Sequence, residues 1–284
     1  SYCPVQEGRT VMRKTWRNPL FWVMMVILTV IFLGPLVVMI LTSFKTSIEA
    51  KQVPATFFPH TWTLRAYRQL LFVDDASPVL RWVLNSFVAA TVNSVLTCLF
   101  AAMAAYAFAR LRLPGKNVLF AIVLSTMFVP GFIFLMPNFE LMSKLQWLDS
   151  LPAIIFPGTA GAFGVFFLRQ FFVALPKEFE ESARIDGAGP FTTFFKIVLP
   201  NAKGALATLL VLSFLGNWND FVWPIYVLFS DASLTLPVGL TRLQGSYTID
   251  YPVIMAGATM AAVPVLVIYV VLQRYIIEGV ASSG

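Results

Sequence analysis

Long apolar runs separated by short polar segments dominate the pattern of hydrophobic and polar positions along this chain. Six runs reach the roughly 20 mostly apolar residues that a helix needs to cross a bilayer. They cover, to within a few residues, 20–43, 82–109, 117–136, 152–172, 204–229 and 253–275. The pattern therefore predicts an all-α, polytopic membrane protein with six transmembrane helices.

Proline and glycine interrupt the third and fourth runs, which contain Pro130-Gly131 and Pro157-Gly158. Irregular backbone at membrane depth is tolerated where it faces protein or a water-filled cavity. The pair Gly161 and Gly164 in the fourth run has two interpretations, close helix packing or the lining of a cavity. Between the first two runs, the spacing of Leu64, Tyr67, Leu70 and Leu71 predicts a short amphipathic helix on the outer membrane surface.

The composition supports a membrane protein. Of the 284 residues, 58% are hydrophobic and only 12% are charged, which leaves too little polar surface for a water-soluble domain. Cys3 and Cys98 have neither metal-ligand nor disulfide-framework spacing, and Cys98 is interpreted as a packing residue. The only histidine, His60, is interpreted as a surface residue, so no metal site is expected.

Basic residues near the ends of the runs predict the orientation of the chain. Thirteen of the twenty lysines and arginines fall beside the N-terminus, in segments 110–116 and 169–203, and at the end of the sixth run. Because such residues concentrate on the cytoplasmic side, both termini are expected there. These residues also account for the net charge of +6, so no nucleic-acid partner is needed. A cleaved signal peptide is the alternative for the first run, but its apolar core would span only about 7–15 residues.

One long polar stretch, 175–200, separates the fourth run from the fifth and reads LPKEFEESARIDGAGPFTTFFKIVLP. Pro176 suits the start of a helix, and the three glutamates within 178–181 suit the positive end of its dipole. The glycines and proline within 187–190 end this helix, and a second short helix is expected to stop at Pro200. The three glutamates are interpreted as a solvated or docking face rather than as acid–base groups.

Within this stretch, the spacing of Glu181-Ser182-Ala183, Gly187, Ile197 and Leu199-Pro200 resembles the EAA loop of permease subunits in bacterial ABC importers. Ser182 replaces the middle alanine of that motif, which is a small-for-small change. An ordinary amphipathic loop between membrane helices is the alternative, but it would not require these fixed spacings. The resemblance implies that the loop couples to a separate ATPase subunit through Glu181, Ser182, Ala183, Asp186, Gly187, Ile197, Leu199 and Pro200.

Three further segments, AAYAFAR followed by PGK, WNDFVWP and LTLPVGL, are similar to the maltose-type second permease subunit of carbohydrate ABC importers. The resemblance implies the type I ABC importer permease fold. It also implies a cytoplasmic segment 1–18, a first transmembrane helix with an external segment at 19–81, a core of five transmembrane helices at 82–275 and a cytoplasmic tail at 276–284. The stretch 175–200 would be the coupling loop of that core.

The same resemblance implies the partners. They are a related permease in a heterodimer, two ATPase subunits and an extracytoplasmic solute-binding protein, assembled in the bacterial inner membrane around a sugar or related polyol. The chain lacks the phosphate-binding motif GxxxxGK[ST], so ATP and Mg²⁺ would be used by the ATPase partner. Neither a bound cofactor nor an enzymatic activity is expected of this chain.

Polar residues interrupt the fifth run and predict a translocation path. Burying an unpaired acid such as Asp220 in lipid costs at least about 2.5 kcal/mol, so such residues usually face a bundle interior or a pathway. The predicted path residues are Asn217, Trp218, Asn219, Asp220 and Phe221, and the face formed by Asn217, Asp220 and Phe221 is favoured. There are two alternatives. These polar groups could pack against the partner permease, or Asp220 could lie near the outer surface.

Two other classes of function have less support in the sequence. A secondary transporter or channel driven by an ion gradient would need several intramembrane acids or histidines along a path, and Asp220 is the only candidate. A membrane-embedded enzyme would need a catalytic constellation, and no pairing of acids, nucleophiles or metal ligands suggests one.

Overall fold

The computed structural model describes residues 19–73, 78–243 and 249–281. The regular elements in these residues are helices and helical turns, with no strand among them, so the predicted all-α fold is confirmed. Two compact units divide the chain, Ser1–Val73 with Gln244–Thr259 and Asp74–Leu243 with Met260–Gly284. The predicted segment 1–18 and the end of the predicted tail, 282–284, lie outside the described residues.

The first unit begins with helix α1, Pro19–Ser43, which coincides with the first predicted span. A 3₁₀ turn, Glu49–Lys51, follows, and then a short helix, Arg65–Arg68, which continues into a wider π-type turn, Gln69–Val73. The helix predicted on the external segment is therefore present. Within it Leu70 is buried.

Polar side chains order the segment that follows α1 in the first unit. Glu49 accepts hydrogen bonds from the backbone N–H of His60 at 2.7 Å and from Thr56 Oγ1 at 3.1 Å. The His60 N–H is the main reason that the pKa of Glu49 is lowered. Arg65 Nη2 forms an ion pair with Asp250 Oδ2 at 3.1 Å. These bonds hold the loop after α1 in one conformation.

The second unit contains most of the helices. In chain order they are α2 Val79–Arg110, α3 Lys116–Ser125, α4 Leu135–Lys144, α5 Leu151–Ile155, α6 Ala162–Ala174, α7 Glu178–Ile185, α8 Pro190–Thr193, α9 Lys203–Trp218, α10 Val222–Val227 and α11 Leu236–Arg242. Shorter helical turns are Thr126–Phe128, Gly131–Phe134, Phe194–Val198 and Leu199–Asn201. Helix α12, Tyr251–Ala281, begins in the first unit and ends in the second.

Helix α2 is the packing centre of the second unit, because α6 and α9 both lie against it. Ala101 of α2 shares one buried cluster with Leu168 of α6 and Leu209 of α9. A Cβ added to Gly164 of α6 would lie 3.0 Å from Ala101 Cβ, so the packing interpretation of this glycine is confirmed. Gly161 is different, since among the described residues nothing lies within 4 Å of a Cβ added there.

The third predicted span is not one straight helix. Its two halves, Lys116–Phe128 and Gly131–Lys144, are bent by 94° at the break between them. Pro130 causes the break, because it has no N–H to donate and its ring would clash with the carbonyl of residue 126. The predicted span over 117–136 is therefore a bent helix pair, and the interruption that Pro130-Gly131 indicated in the sequence is present.

The fourth and fifth predicted spans are also interrupted. The segment between α5 and α6 contains Pro157, and Pro224 lies in the first turn of α10, where its missing N–H costs nothing. A continuous helix through Asp220 would place the Pro224 ring against the Asp220 carbonyl, so α9 ends and a new helix begins. The predicted spans over 152–172 and 204–229 are therefore each divided into two helices.

By length and composition, three helices of the described chain could cross a membrane: Pro19–Ser43, Val79–Arg110 and Tyr251–Val271. The number rises to five if the bent pair at Pro130 and the pair Pro190–Asn201 with Lys203–Trp218, bent by 81°, each form one span. Helix α6, in the fourth predicted run, is a shorter apolar helix.

The N-terminal end of α2 holds the loop that precedes α11. Trp82 Nε1 donates a hydrogen bond to the carbonyl of Asp231 at 2.6 Å, and Asn85 Nδ2 donates to the carbonyls of Ala232 and Leu234 at 3.0 and 2.9 Å. This end of α2 and the loop therefore form one connected structure.

Candidate coupling and translocation site

The polar stretch between α6 and α9 forms a helix, a tight turn and a second helix, as predicted. The glutamates in the first turn of α7 interact favourably with the positive end of its dipole. The N–H of Ala188 donates to the carbonyl of Ala183 at 2.9 Å and closes the end of α7. Gly187 makes the turn with a φ of +82°, which costs residues other than glycine about 1–2 kcal/mol.

The second helix of the stretch starts at Pro190, as predicted, and ends at Asn201, one residue after the predicted end at Pro200. Its middle turn, Phe194–Val198, is widened to π-type geometry. A regular α-helix would bring the Pro200 ring against the carbonyl of residue 196, and the wider turn lies at that point. Phe194 is buried against Tyr106 of α2, with ring centroids 5.1 Å apart, and this contact fixes the second helix on the core.

The predicted coupling residues differ in exposure. Glu181, Ser182, Asp186, Gly187 and Pro200 are exposed, Ile197 and Leu199 are half-buried, and Ala183 is buried. Ala183 therefore packs α7 onto the core, whereas the exposed residues of α7 and the turn are free to meet a partner.

Apolar side chains on the same surface were missed by the sequence reasoning. Ile185 is 87% exposed and Phe191 is 74% exposed. These exposed apolar side chains are available to contact a partner. The position of Ile185 between Arg184 and Asp186 was the available signal for that residue. We call the exposed set Glu181, Ser182, Ile185, Asp186, Gly187 and Phe191 the docking surface.

A buried ion pair joins the stretch to α2. Arg110 Nε lies 2.9 Å from Glu180 Oε1, and the two side chains are only 5% and 8% exposed. Arg110 Nη2 also donates a hydrogen bond to the carbonyl of Leu175 at 2.5 Å. The interpretation of all three glutamates as a solvated or docking face was therefore wrong for Glu180. It faces inward because it lies one turn before the buried Ala183 on α7.

The predicted path residues lie where α9 ends and α10 begins. Asn217 Nδ2 donates to the carbonyl of Ile154 at 3.1 Å, and the buried Trp218 donates through Nε1 to the carbonyl of Ala261 at 3.3 Å. Both side chains therefore attach α9 to neighbouring helices. Because α9 ends at Trp218, the regular helical face expected to join Asn217 to Asp220 is interrupted.

The remaining path residues belong to the break itself. Asp220 Oδ1 accepts a hydrogen bond from the N–H of Trp223 at 3.4 Å and so caps the first turn of α10. Asn219 Nδ2 donates back to the carbonyl of Leu215 in its own helix at 2.9 Å. Asn219 and Phe221 are exposed in the single chain. Their role in a path stays a prediction, and so does the role of Asn217, Trp218 and Asp220.

Comparisons with known proteins agree on one family. The family model described as "Binding-protein-dependent transport system inner membrane component" matches residues 79–277. The chain is 37% identical over 252 residues to the arabinooligosaccharides transport system permease protein AraQ of Halalkalibacterium halodurans, with 88% of this chain and 90% of the relative covered. It is 32% identical to the sn-glycerol-3-phosphate transport system permease protein UgpE of Pectobacterium atrosepticum, with 92% and 95% covered.

A solved structure is similar over nearly the whole chain. It is a chain of a bacterial ABC transporter involved in the import of the acidic polysaccharide alginate, with a TM-score of 0.80 and 25% sequence identity. The alignment covers 97% of this chain and 99% of that one.

Proposed function

Because the chain belongs to the family of binding-protein-dependent transport system inner membrane components, we propose that it forms half of the translocation path of an ATP-driven sugar importer. It is a permease subunit with the type I ABC importer permease fold. The family is one of transporter permeases rather than of catalytic subunits.

The docking surface is the observation that carries the proposed coupling. Its acidic and apolar side chains are exposed, while Ala183 and Phe194 hold the same stretch on the core. A surface of this kind, mixed in chemistry and rigidly supported, suits a lasting contact with another protein. The contact is with an ATPase subunit, which binds ATP and Mg²⁺, while this chain binds neither. The predicted coupling residues act there, with Ala183, Ile197 and Leu199 supporting the surface from within.

The proposed assembly has two permeases, two ATPases and one solute-binding protein. This chain pairs with a related permease, and the exposed apolar side chains of α1 face lipid or that partner. The binding protein delivers the substrate from outside, and both termini and the docking surface are cytoplasmic, as the basic residues favour. The location is the bacterial inner membrane, in keeping with the family description.

The proposed substrate is an oligosaccharide, a sugar or a related polyol. Relatives named for arabinooligosaccharides and for glycerol 3-phosphate, and the transporter named for alginate, support this class. Phe221 and Asn219 offer an exposed aromatic face and an exposed amide beside the break after α9. These groups suit the apolar faces and the hydroxyl rim of a sugar. Phe221→Ala should raise the KM for transport and leave assembly intact. An unchanged KM would remove Phe221 from the path.

Co-purification followed by reconstitution tests the proposal. The tagged chain is purified from its source membranes, bound proteins are identified, and the complex is placed in liposomes. We expect a P-loop ATPase and a second permease in the complex, and uptake of arabinooligosaccharides or another sugar only with internal ATP and the binding protein. Uptake by the chain without an ATPase, driven by an ion gradient, would overturn the proposal and favour a secondary transporter.

A further inference from the structure

The Arg110–Glu180 ion pair occupies the one end of α2 that meets the proposed coupling stretch. Arg110 is the last residue of α2, and its guanidinium contacts two points of the stretch, the Glu180 carboxylate and the Leu175 carbonyl. We propose that this pair is the joint that transmits movement of the docking surface to α2. The inference rests on the proposed function, since it assumes that an ATPase moves the docking surface.

The burial of this ion pair points to a role other than stabilisation. Two charges removed from water are expensive unless each meets its partner in good geometry, and apolar residues of similar volume often give equal or greater stability. A buried pair is therefore weak evidence for a purely stabilising role. Arg110 Nε and Glu180 Oε1 meet at ion-pair distance without a hydrogen bond between them, whereas Nη2 donates to the Leu175 carbonyl, so the guanidinium fork contacts the stretch at two points. A rotation of α7 would consequently pull on the end of α2.

Helix α2 is suited to carry such a movement. Its 32 residues extend over roughly 48 Å at 1.5 Å per residue. At its other end, Trp82 and Asn85 hold the loop at 231–234 by hydrogen bonds. A rigid element fixed at both ends can couple two distant sites without bending of the structure between them. The geometry therefore connects the docking surface to the loop before α11.

A cysteine reporter on that loop tests the joint. Asp231→Cys is introduced into a chain without its own cysteines, through Cys3→Ser and Cys98→Ala, because the Asp231 side chain is exposed and only its backbone carbonyl is bonded to Trp82. The labelling rate with a membrane-impermeant maleimide is measured on the purified complex, without nucleotide and with MgATP plus vanadate. ATP hydrolysis and the amount of bound ATPase are measured in parallel.

The matched variants are Glu180→Gln and Glu178→Gln, which make the same change at a buried and at an exposed position of α7. Glu180→Gln should keep the ATPase bound and hydrolysing but reduce the nucleotide-dependent change in labelling about 5-fold or more, the range expected for loss of allosteric coupling. Glu178→Gln should behave like the parent. Arg110→Lys, which keeps the positive charge but loses the two-point fork, should reproduce the effect of Glu180→Gln.

The outcomes show whether the ion pair transmits movement to α2 or only supports the stretch. The proposal is overturned if Glu180→Gln shows the same nucleotide response as the parent. It is also overturned if both Glu180→Gln and Arg110→Lys lose the bound ATPase while Glu178→Gln assembles. If only Glu180→Gln fails to assemble, the response of Arg110→Lys decides. Absence of any bound ATPase or nucleotide response in the parent contradicts the proposed function itself, so the two failures are distinguishable.

Discussion

Two glycines in the coupling stretch, Gly187 and Gly189, have φ angles of opposite sign. Gly187 has a φ of +82°, whereas Gly189 has a φ of −75°, which any residue can adopt. Among the described residues, nothing lies within 4 Å of a Cβ added at either position. Space is therefore equal at the two sites, and only the sign of φ distinguishes them.

Gly187→Ala should impair coupling, and Gly189→Ala is its matched control. Alanine at a positive φ costs about 1–2 kcal/mol, so the population of the correct turn should fall about 5- to 30-fold. We expect ATP hydrolysis stimulated by the loaded binding protein to drop in Gly187→Ala while membrane insertion is kept. Equal activity of the two alanine variants would show that the turn conformation does not matter for coupling.

Asp149 is a second residue whose environment defines its role. It lies between α4 and α5, where Oδ1 accepts hydrogen bonds from the N–H groups of Phe229 and Ser230 at 2.7 and 3.0 Å and from Ser233 Oγ. Partial burial raises its pKa, but these hydrogen bonds outweigh burial and lower the pKa to about 2. The charged carboxylate therefore holds the segment after α10 against the loop before α5.

Asp149→Asn should destabilise the purified protein, with Asp231→Asn as the control on an exposed side chain. Asparagine keeps an acceptor oxygen but loses the charge, and hydrogen bonds to a charged group contribute about 1.5–3 kcal/mol against about 0.5–1.5 kcal/mol for neutral ones, so a lower midpoint of thermal unfolding is expected at pH 7. The folded pKa lies below the unfolded value of about 3.9, so the contribution is complete above that pH and is lost as the pH falls toward 2. A difference between wild type and Asp149→Asn that changes between pH 8 and pH 5 would contradict this assignment.

At the scale of elements, the sequence predicted helix positions well and helix continuity poorly. The first predicted span agrees with α1, and the second with most of α2, because apolar length determines both. Pro130 and Pro224 were readable in the sequence, but a proline permits a kink, a break or a new helix start, and only packing selects among them. The helix–turn–helix of 175–200 was predictable because its signals are local. Gly187 permits the positive φ of the turn, and Pro190 suits the start of the second helix.

The buried pair shows why the inner side of the site was not predictable. Glu180 and its exposed neighbour Glu181 are the same residue type in the same helical turn. Which of them faces the core depends on where α7 meets Arg110, which is 70 residues away in sequence. The burial of Ala183 fixes that face, and the hydrogen bonds of Asn217 and Trp218 to other helices depend in the same way on tertiary contacts.

Gly164 provides a prediction for the packing of elements. A Cβ there meets Ala101 Cβ at 3.0 Å and a Leu209 side chain at 3.3 Å, so Gly164→Ala should force α6 away from α2 or distort the core. Overpacking of this kind costs about 1–3 kcal/mol. Gly161→Ala, the same change in open space just before α6, should leave the thermal unfolding midpoint of the purified protein within error of wild type. A midpoint for Gly164→Ala as high as that of Gly161→Ala would mean that the helices are not in close contact there.

For the whole molecule, orientation in the membrane is the property on which the proposed mechanism depends. The docking surface must face the cytoplasm to meet an ATPase, and the loop at 231–234 must then face the opposite side. The excess of basic residues in segments 110–116 and 169–203 favours this arrangement. Cys98 is buried in the helix cluster, which confirms its interpretation as a packing residue, whereas Cys3 lies outside the described residues.

Single cysteines at Ser182 and Asp231 test the orientation in a chain that carries Cys3→Ser and Cys98→Ala. Both positions are exposed, whereas Ser233 in the same loop as Asp231 is half-buried and donates its hydroxyl to Asp149, so a cysteine there would disturb the loop. A membrane-impermeant maleimide should label Asp231→Cys in intact spheroplasts and Ser182→Cys only in inverted vesicles. Permeabilised membranes, in which both cysteines should react, control for intrinsic reactivity. Labelling of Ser182→Cys in intact spheroplasts would place the docking surface outside the cytoplasm, and ATP-driven coupling through α7 would then be impossible. Labelling of Asp231→Cys only in inverted vesicles would contradict the expected position of its loop.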